Sequence, residues 1–128
     1  MRQYLIDTNY LLRFLLRDIP AQSKIVRDYF IAAEKHEIQI TVPLLVFVEI
    51  DFALRKLYSF KKEKVIKMMR EIMDNISLSI EKKELLVGVL QFYSSKNISF
   101  VDAIFCYQAR LENKELLTFD RKLQKMKI

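Results

Sequence analysis

Short apolar runs alternate along this chain with longer segments of helical period, and two of those runs stop dead at an aspartate. That alternation constrains the fold more than any other feature. Strands and helices that take turns bury themselves best as a mostly parallel sheet with crossover helices, which defines the α/β class. Tyr4-Leu5-Ile6 is the first such run and ends at Asp7-Thr8-Asn9, a helix-start signal. Leu11, Leu12, Leu15 and Leu16 then repeat at helical spacing. Pro20 marks a second helix start, with Ile25, Val26, Tyr29, Phe30 and Ala33 as its apolar face. Ile38–Val42 alternates with β-branched residues and reads as a strand. Pro43 opens a helix to about Tyr58, at a position where a missing N–H costs nothing.

The second half repeats the theme. Lys61–Asp74 is amphipathic, Ile76–Ile80 reads as a strand, and Glu81–Lys96 and Phe100–Glu112 read as helices. Asn113 is a fitting left-handed cap. Leu116–Phe119 is the last clear strand, Asp120–Gln124 starts a short helix, and Met126–Ile128 is a candidate stub of a fifth strand. The first and last strands are apolar throughout, as strands covered on both faces are. At 128 residues the chain is expected to form a single domain.

Scarce residue types exclude several chemistries. Gly88 is the only glycine, too few for a P-loop or a dinucleotide fingerprint. Cys106 is the only cysteine, which excludes an internal disulfide and a Cys-rich zinc site. His36 is the only histidine, so no His-pair metal site exists, and its polar context Lys35-His36-Glu37 suits a catalytic triad poorly. The longest uncharged runs, Ile38–Val48 and Leu85–Ser95, have 11 residues each, short of the roughly 18 that a membrane span needs. Asp7 and Arg13 interrupt the first apolar stretch, so no signal peptide is expected. With an unpaired thiol, the expected compartment is the reducing cytoplasm. The formal charge of +6 favours a polyanionic partner.

The chemistry is expected from acids that interrupt apolar segments. Asp7 directly follows one strand and Asp120 another. In an open parallel sheet the carboxyl ends of the strands form the ligand-binding edge. Asp102 falls in the first turn of a helix that starts at that same edge, in the capping-box pattern Ser99-Phe100-Val101-Asp102. Glu49 is a charge on a helical stripe whose neighbours are Leu45, Val46, Phe52 and Ala53. Each has a plain structural explanation, as a cap or as the partner of a buried arginine. Together they are like charges that repel at low dielectric and require a compensating cation. Hard oxygen donors select Mg²⁺ or Mn²⁺ over Zn²⁺. Carboxylates, such a cation and a basic surface suggest phosphoryl chemistry. Asp51 stands apart, as a surface ion pair with Arg55 at i+4.

These residues carry a family resemblance. Asp7-Thr8-Asn9-Tyr10-Leu11-Leu12-Arg13, Glu49 on its apolar helix, Phe100-Val101-Asp102-Ala103 and Leu117-Thr118-Phe119-Asp120-Arg121-Lys122-Leu123 resemble PIN-domain ribonucleases, and among them the VapC toxins of type II toxin–antitoxin systems. The resemblance spans essentially the whole chain in order. It implies a three-layer α/β/α fold with sheet order 3-2-1-4-5. It also implies endoribonuclease activity with one or two Mg²⁺ (or Mn²⁺) ions, homodimerisation and inhibition by a cognate antitoxin. Asp7, Glu49, Asp102 and Asp120 become the catalytic, metal-binding acids, with Thr8, Asn9 and Thr118 as supporting hydrogen-bond groups. Many members carry a further acidic residue near the position that Ser99 occupies here.

Arg13, Arg17, Arg121 and Lys122 are candidate contacts to RNA phosphates, which position a substrate without reading its sequence. Tyr10, Tyr58 and Tyr107 are candidates for stacking on bases, with packing as the alternative. Met69 and Met73, with Leu54 and Leu57, are either antitoxin contacts or ordinary core. Cys106 reads as a small core residue and His36 as exposed. The leading expectation is a Mg²⁺-dependent endoribonuclease toxin that hydrolyses RNA phosphodiesters. The alternatives are a non-catalytic RNA-binding module of the same shape, and an interaction protein whose role lies in an antitoxin complex.

Overall fold

A computed structural model describes residues 1–126. The described residues fold as two compact units, one spanning Met1–Glu81 and the other beginning at Lys82.

In the first unit, strand β1 (Arg2–Leu5) leads into α1 (Thr8–Leu16) and α2 (Pro20–Glu34). Strand β2 (Ile38–Val42) leads into α3 (Leu44–Phe52), a π-helical turn (Ala53–Leu57) and α4 (Lys62–Met73), and β3 (Leu78–Ile80) closes the unit. All pairings are parallel. β1 lies against β2 in the register Arg2↔Ile38 to Leu5↔Thr41, and β2 lies against β3 from Ile40↔Leu78 to Val42↔Ile80. Parallel neighbours require crossovers, which the helix pairs α1–α2 and α3–α4 supply. Among the described residues the sheet has three strands, with β2 in the middle. This is the 3-2-1 part of the expected order.

Local chemistry sets the boundaries. Asp7 caps α1 by accepting the Tyr10 N–H at 2.8 Å. The helix ends where Arg17 turns left-handed, at φ 53°. Pro20 starts α2 with its ring-fixed φ, and His36 at φ 62° turns the chain into β2. Phe30, Ile40, Val42, Phe47, Ile50, Leu54, Val65, Met69 and Ile72 build the core of this unit. Leu54, Met69 and Met73 are therefore core residues, while Leu57 is exposed.

The second unit holds α5 (Lys83–Ser95), α6 (Phe100–Leu111) and α7 (Arg121–Lys125). Gly88 on α5 lies under the Tyr107 ring of α6, so close that a Cβ there would overlap the ring. Tyr93 and Phe100 meet edge-to-face with ring centroids 5.3 Å apart. Cys106 is buried on α6, as expected of a small core residue. Asn113, at φ 56°, follows the end of α6 as the expected left-handed residue.

One expected strand does not form among the described residues. Leu116–Phe119 has no ladder partner there, and Leu117 and Phe119 are almost fully exposed. The segment instead becomes the lead-in to α7. Thr118 Oγ1 accepts the Asp120 N–H at 3.1 Å, and the Gln124 side chain donates to the Thr118 carbonyl at 2.6 Å. Of the candidate fifth-strand stub Met126–Ile128, Met126 is in no strand and the rest lies outside the described residues. No described helix is long and apolar enough to cross a membrane.

Candidate active site

The first unit contributes acids from two segments far apart in sequence. Asp7 is exposed at the carboxyl end of β1, one residue past Ile6, whose N–H donates to the Thr41 carbonyl at 3.1 Å. Thr8 is the first residue of α1. Its hydroxyl donates to Glu49 Oε1 on α3 at 2.6 Å, across 41 residues of chain. A short hydrogen bond to an ionised acceptor is a strong one, and it ties Glu49 to the Asp7-Thr8-Asn9 segment. Asn9 is exposed in the first turn of α1.

Two cavities share Asp7 in their walls. One, of about 310 Å³, is lined by Tyr4, Tyr10 and Tyr29 with Leu5, Ile6 and Ile40. Tyr29 meets Tyr4 at a centroid distance of 5.4 Å and Tyr10 at 6.2 Å, both edge-to-face. The other, of about 280 Å³, is lined by Asn9, Tyr10, Arg13, Gln22, Ile25 and Val26. Tyr10 and Asp7 belong to both walls. Burial pushes the Tyr10 hydroxyl above its ordinary pKa, and the Tyr29 hydroxyl and Asp7 carboxylate push it the same way.

In the second unit, Asp102 is half-buried in the first turn of α6, where its N–H donates to Ser99 Oγ at 3.1 Å. Asp120 is exposed and caps α7, accepting the Leu123 N–H at 3.1 Å. The capping half of the expected box is therefore present. Burial raises the Cys106 thiol pKa, and the carboxylates of Asp102 and Asp120 raise it further. Two acids 18 residues apart in sequence thus act on one thiol. Among the described residues, no three His, Cys, Asp or Glu side chains are gathered into a metal-holding group. The acids come as Asp7 beside the Thr8–Glu49 bond, and Asp102 with Asp120. Both sets offer only hard oxygen ligands, the donor chemistry that suits Mg²⁺ or Mn²⁺.

The basic candidates separate. Arg17, Arg121 and Lys122 are exposed, and Lys122 Nζ donates to the Asn97 carbonyl. Arg13 is not a surface phosphate contact. It is buried, and Nη1 donates to both carboxylate oxygens of Asp18, at 2.9 and 3.1 Å. The cause is its place in the apolar run Leu11-Leu12-Arg13-Phe14-Leu15-Leu16, which faces α2 and α3. Asp51 is corrected in the same sense. It is buried rather than on the surface, with Arg55 Nη1 at 3.6 Å from its carboxylate. Sequence reasoning missed Gln22 and Tyr29, which share cavity walls with Asp7, and Asp18, the partner of Arg13. The available signal was Arg13 itself, since a guanidinium in an apolar stripe must find an acceptor.

An α/β unit with Asp7 at the carboxyl end of a parallel strand, and Glu49 tied to the next residue, belongs to the class whose ligands bind at that edge. The family model for the PIN domain matches residues 4–128, and the chain belongs to the PIN-domain family. PIN domains are in general metal-dependent nucleases, which makes hydrolysis of nucleic-acid phosphodiesters the coarse activity of the family. No curated protein and no solved structure matches this chain significantly.

Proposed function

We propose that this protein is a Mg²⁺- or Mn²⁺-dependent endoribonuclease and the toxin of a toxin–antitoxin pair, acting as a homodimer. The observation that carries the reading is the Thr8–Glu49 hydrogen bond, which joins the Asp7-Thr8-Asn9 segment to Glu49 on the apolar helix α3. Membership of a nuclease family and the +6 charge support it. Asp7 and Glu49 of the first unit and Asp102 and Asp120 of the second are the acids we propose as metal ligands; a metal, when bound, supplies an activated water and stabilises the leaving oxygen. Thr8 holds Glu49 in place, and Thr118 holds the backbone at Asp120. Asn9 is exposed beside Asp7 and is available to the substrate. Arg17, Arg121 and Lys122 attract the RNA backbone and make binding salt-dependent.

The test is incubation of the purified protein with a mixed pool of structured RNA in Mg²⁺, Mn²⁺ or EDTA. Asp102→Asn controls for contaminating nuclease. Metal-dependent cleavage that disappears in the variant is the expected result. Full cleavage by folded Asp102→Asn contradicts the assignment. Metal-dependent stabilisation and RNA binding without any cleavage would favour the non-catalytic reading.

A further inference from the structure

Helix α3 starts without a cap of its own. Pro43 precedes it with no side-chain acceptor, and its first turn holds no acid. The first N–H groups of a helix lack intrahelical partners and need an acceptor from elsewhere. Glu81, 37 residues further along the chain, supplies one: its Oε1 accepts the Leu44 N–H at 3.0 Å. The Glu81 backbone N–H also donates to the Val42 carbonyl at 3.0 Å, one step past the Val42↔Ile80 pair of the β2–β3 ladder. Glu81 therefore grips the chain on both sides of Pro43. Helices α1, α6 and α7 are by contrast capped from within three residues, by Asp7, Ser99 and Asp120.

The remote cap matters because of what α3 is made of. Its residues are apolar on every side, exposed Leu45 and Phe52 as well as buried Val46, Phe47 and Ile50. Hydrophobic burial is non-directional, so it fixes the rotation and axial position of such a helix only loosely. Directional bonds do that better. Glu81 holds Leu44 at the start of α3, and Thr8 holds Glu49 five residues on, about 7.5 Å along the axis. The 2.6 Å Thr8–Glu49 bond has little slack. A slide or turn of α3 at Leu44 would be carried along the helix to Glu49 and open that bond.

We infer that Glu81 is a positioning residue, which acts through the start of α3 to keep Glu49 on Thr8 and so next to the Asp7 segment. It touches neither metal nor substrate in this role. The inference rests on the ribonuclease reading for what Glu49 does once it is in place.

The test uses the full chain with ¹³C in its threonine methyl groups. Glu49→Ala, which removes the acceptor, gives the Thr8 methyl resonance of the broken bond. Glu81→Ala should move the Thr8 resonance toward that position and weaken Mn²⁺ binding, read by electron paramagnetic resonance, about fivefold, as one lost cap would. At Mn²⁺ concentrations near the wild-type Kd, it should slow RNA cleavage through kcat rather than KM. Glu81→Gln keeps an oxygen that can accept the Leu44 N–H, and it should restore the Thr8 resonance and bring Mn²⁺ affinity within about twofold of wild type. A Thr8 resonance and Mn²⁺ affinity left unchanged by Glu81→Ala would overturn the inference. So would a Glu81→Gln protein as impaired as Glu81→Ala, because the charge and not the cap would then be what acts. A Thr8 resonance that moves in a protein with no metal binding and no cleavage would remove the nuclease reading and keep the tie. Metal-dependent cleavage with an unmoved Thr8 resonance would do the reverse.

Discussion

At the scale of single residues, the Arg13–Asp18 pair sets a limit on how α1 can end. Asp18 lies just past the left-handed Arg17, and only that turn brings its carboxylate back to a guanidinium five residues earlier. Replacing Asp18 by Ala leaves a buried charge unmatched. Asp18 itself is 42% exposed on its side chain, so water recovers part of the loss. The expected destabilisation is about 1–3 kcal/mol, read as a lower denaturation midpoint at unchanged slope. Glu112 gives a second residue-scale prediction. Hydrogen bonds from Lys114, at 2.7 Å, and Gln108, at 2.8 Å, hold its pKa below the ordinary value of 4.5. Its contribution to stability is therefore present above about pH 4.5 and fades as the pH falls through the lowered value. Lys114→Ala should raise the Glu112 pKa toward 4.5 in a carboxylate NMR titration. The caps at Asp7, Ser99 and Asp120 were legible in the sequence because a cap acts within three residues. The Thr8–Glu49 bond was not, because no local pattern encodes a contact across 41 residues. Arg13 was misread for a different reason. Its partner lies beyond the helix end, outside the i+4 reach that pattern reading covers.

At the scale of elements, packing decides where propensity does not. Alanine is the better helix former by roughly 1 kcal/mol, yet Gly88→Ala would press a methyl into the Tyr107 ring. We expect the variant to lose about 1–3 kcal/mol. Tyr107→Ala should relieve the clash, so the cost of Gly88→Ala should shrink in that background. A double-mutant cycle by urea unfolding measures the coupling. Strand β2 was legible to the residue, because a five-residue β-branched run ends at Pro43. The helix after it was drawn as one piece to Tyr58. Its apolar residues continue past Phe52, and nothing in their spacing announces the π-helical turn at Ala53–Leu57. Leu116–Phe119 shows the opposite limit. Its composition is that of a strand, but a strand also needs a ladder partner, which composition cannot guarantee.

At the scale of the whole molecule, the α/β class and the family were legible in the order of acidic motifs along the chain. The parallel sheet and the PIN-domain match over residues 4–128 agree with that order. The proposed metal site also has a thermodynamic consequence. A cation that binds only the folded protein stabilises it by about 2.7 kcal/mol at a hundred times its Kd. Mg²⁺ or Mn²⁺ should therefore raise the Tm by several degrees, and Asp7→Asn should reduce that rise. A scanning calorimeter reads both. The most direct test of the central claim is the fate of a circular single-stranded RNA, which has no end from which an exonuclease could start. In Mg²⁺ or Mn²⁺ the protein should convert the circle to a linear molecule, and EDTA or Asp7→Asn should prevent it. A circle that survives metal-loaded wild-type protein while linear RNA of the same sequence is degraded, or linearisation that persists in EDTA and in Asp7→Asn, would contradict a metal-dependent endoribonuclease.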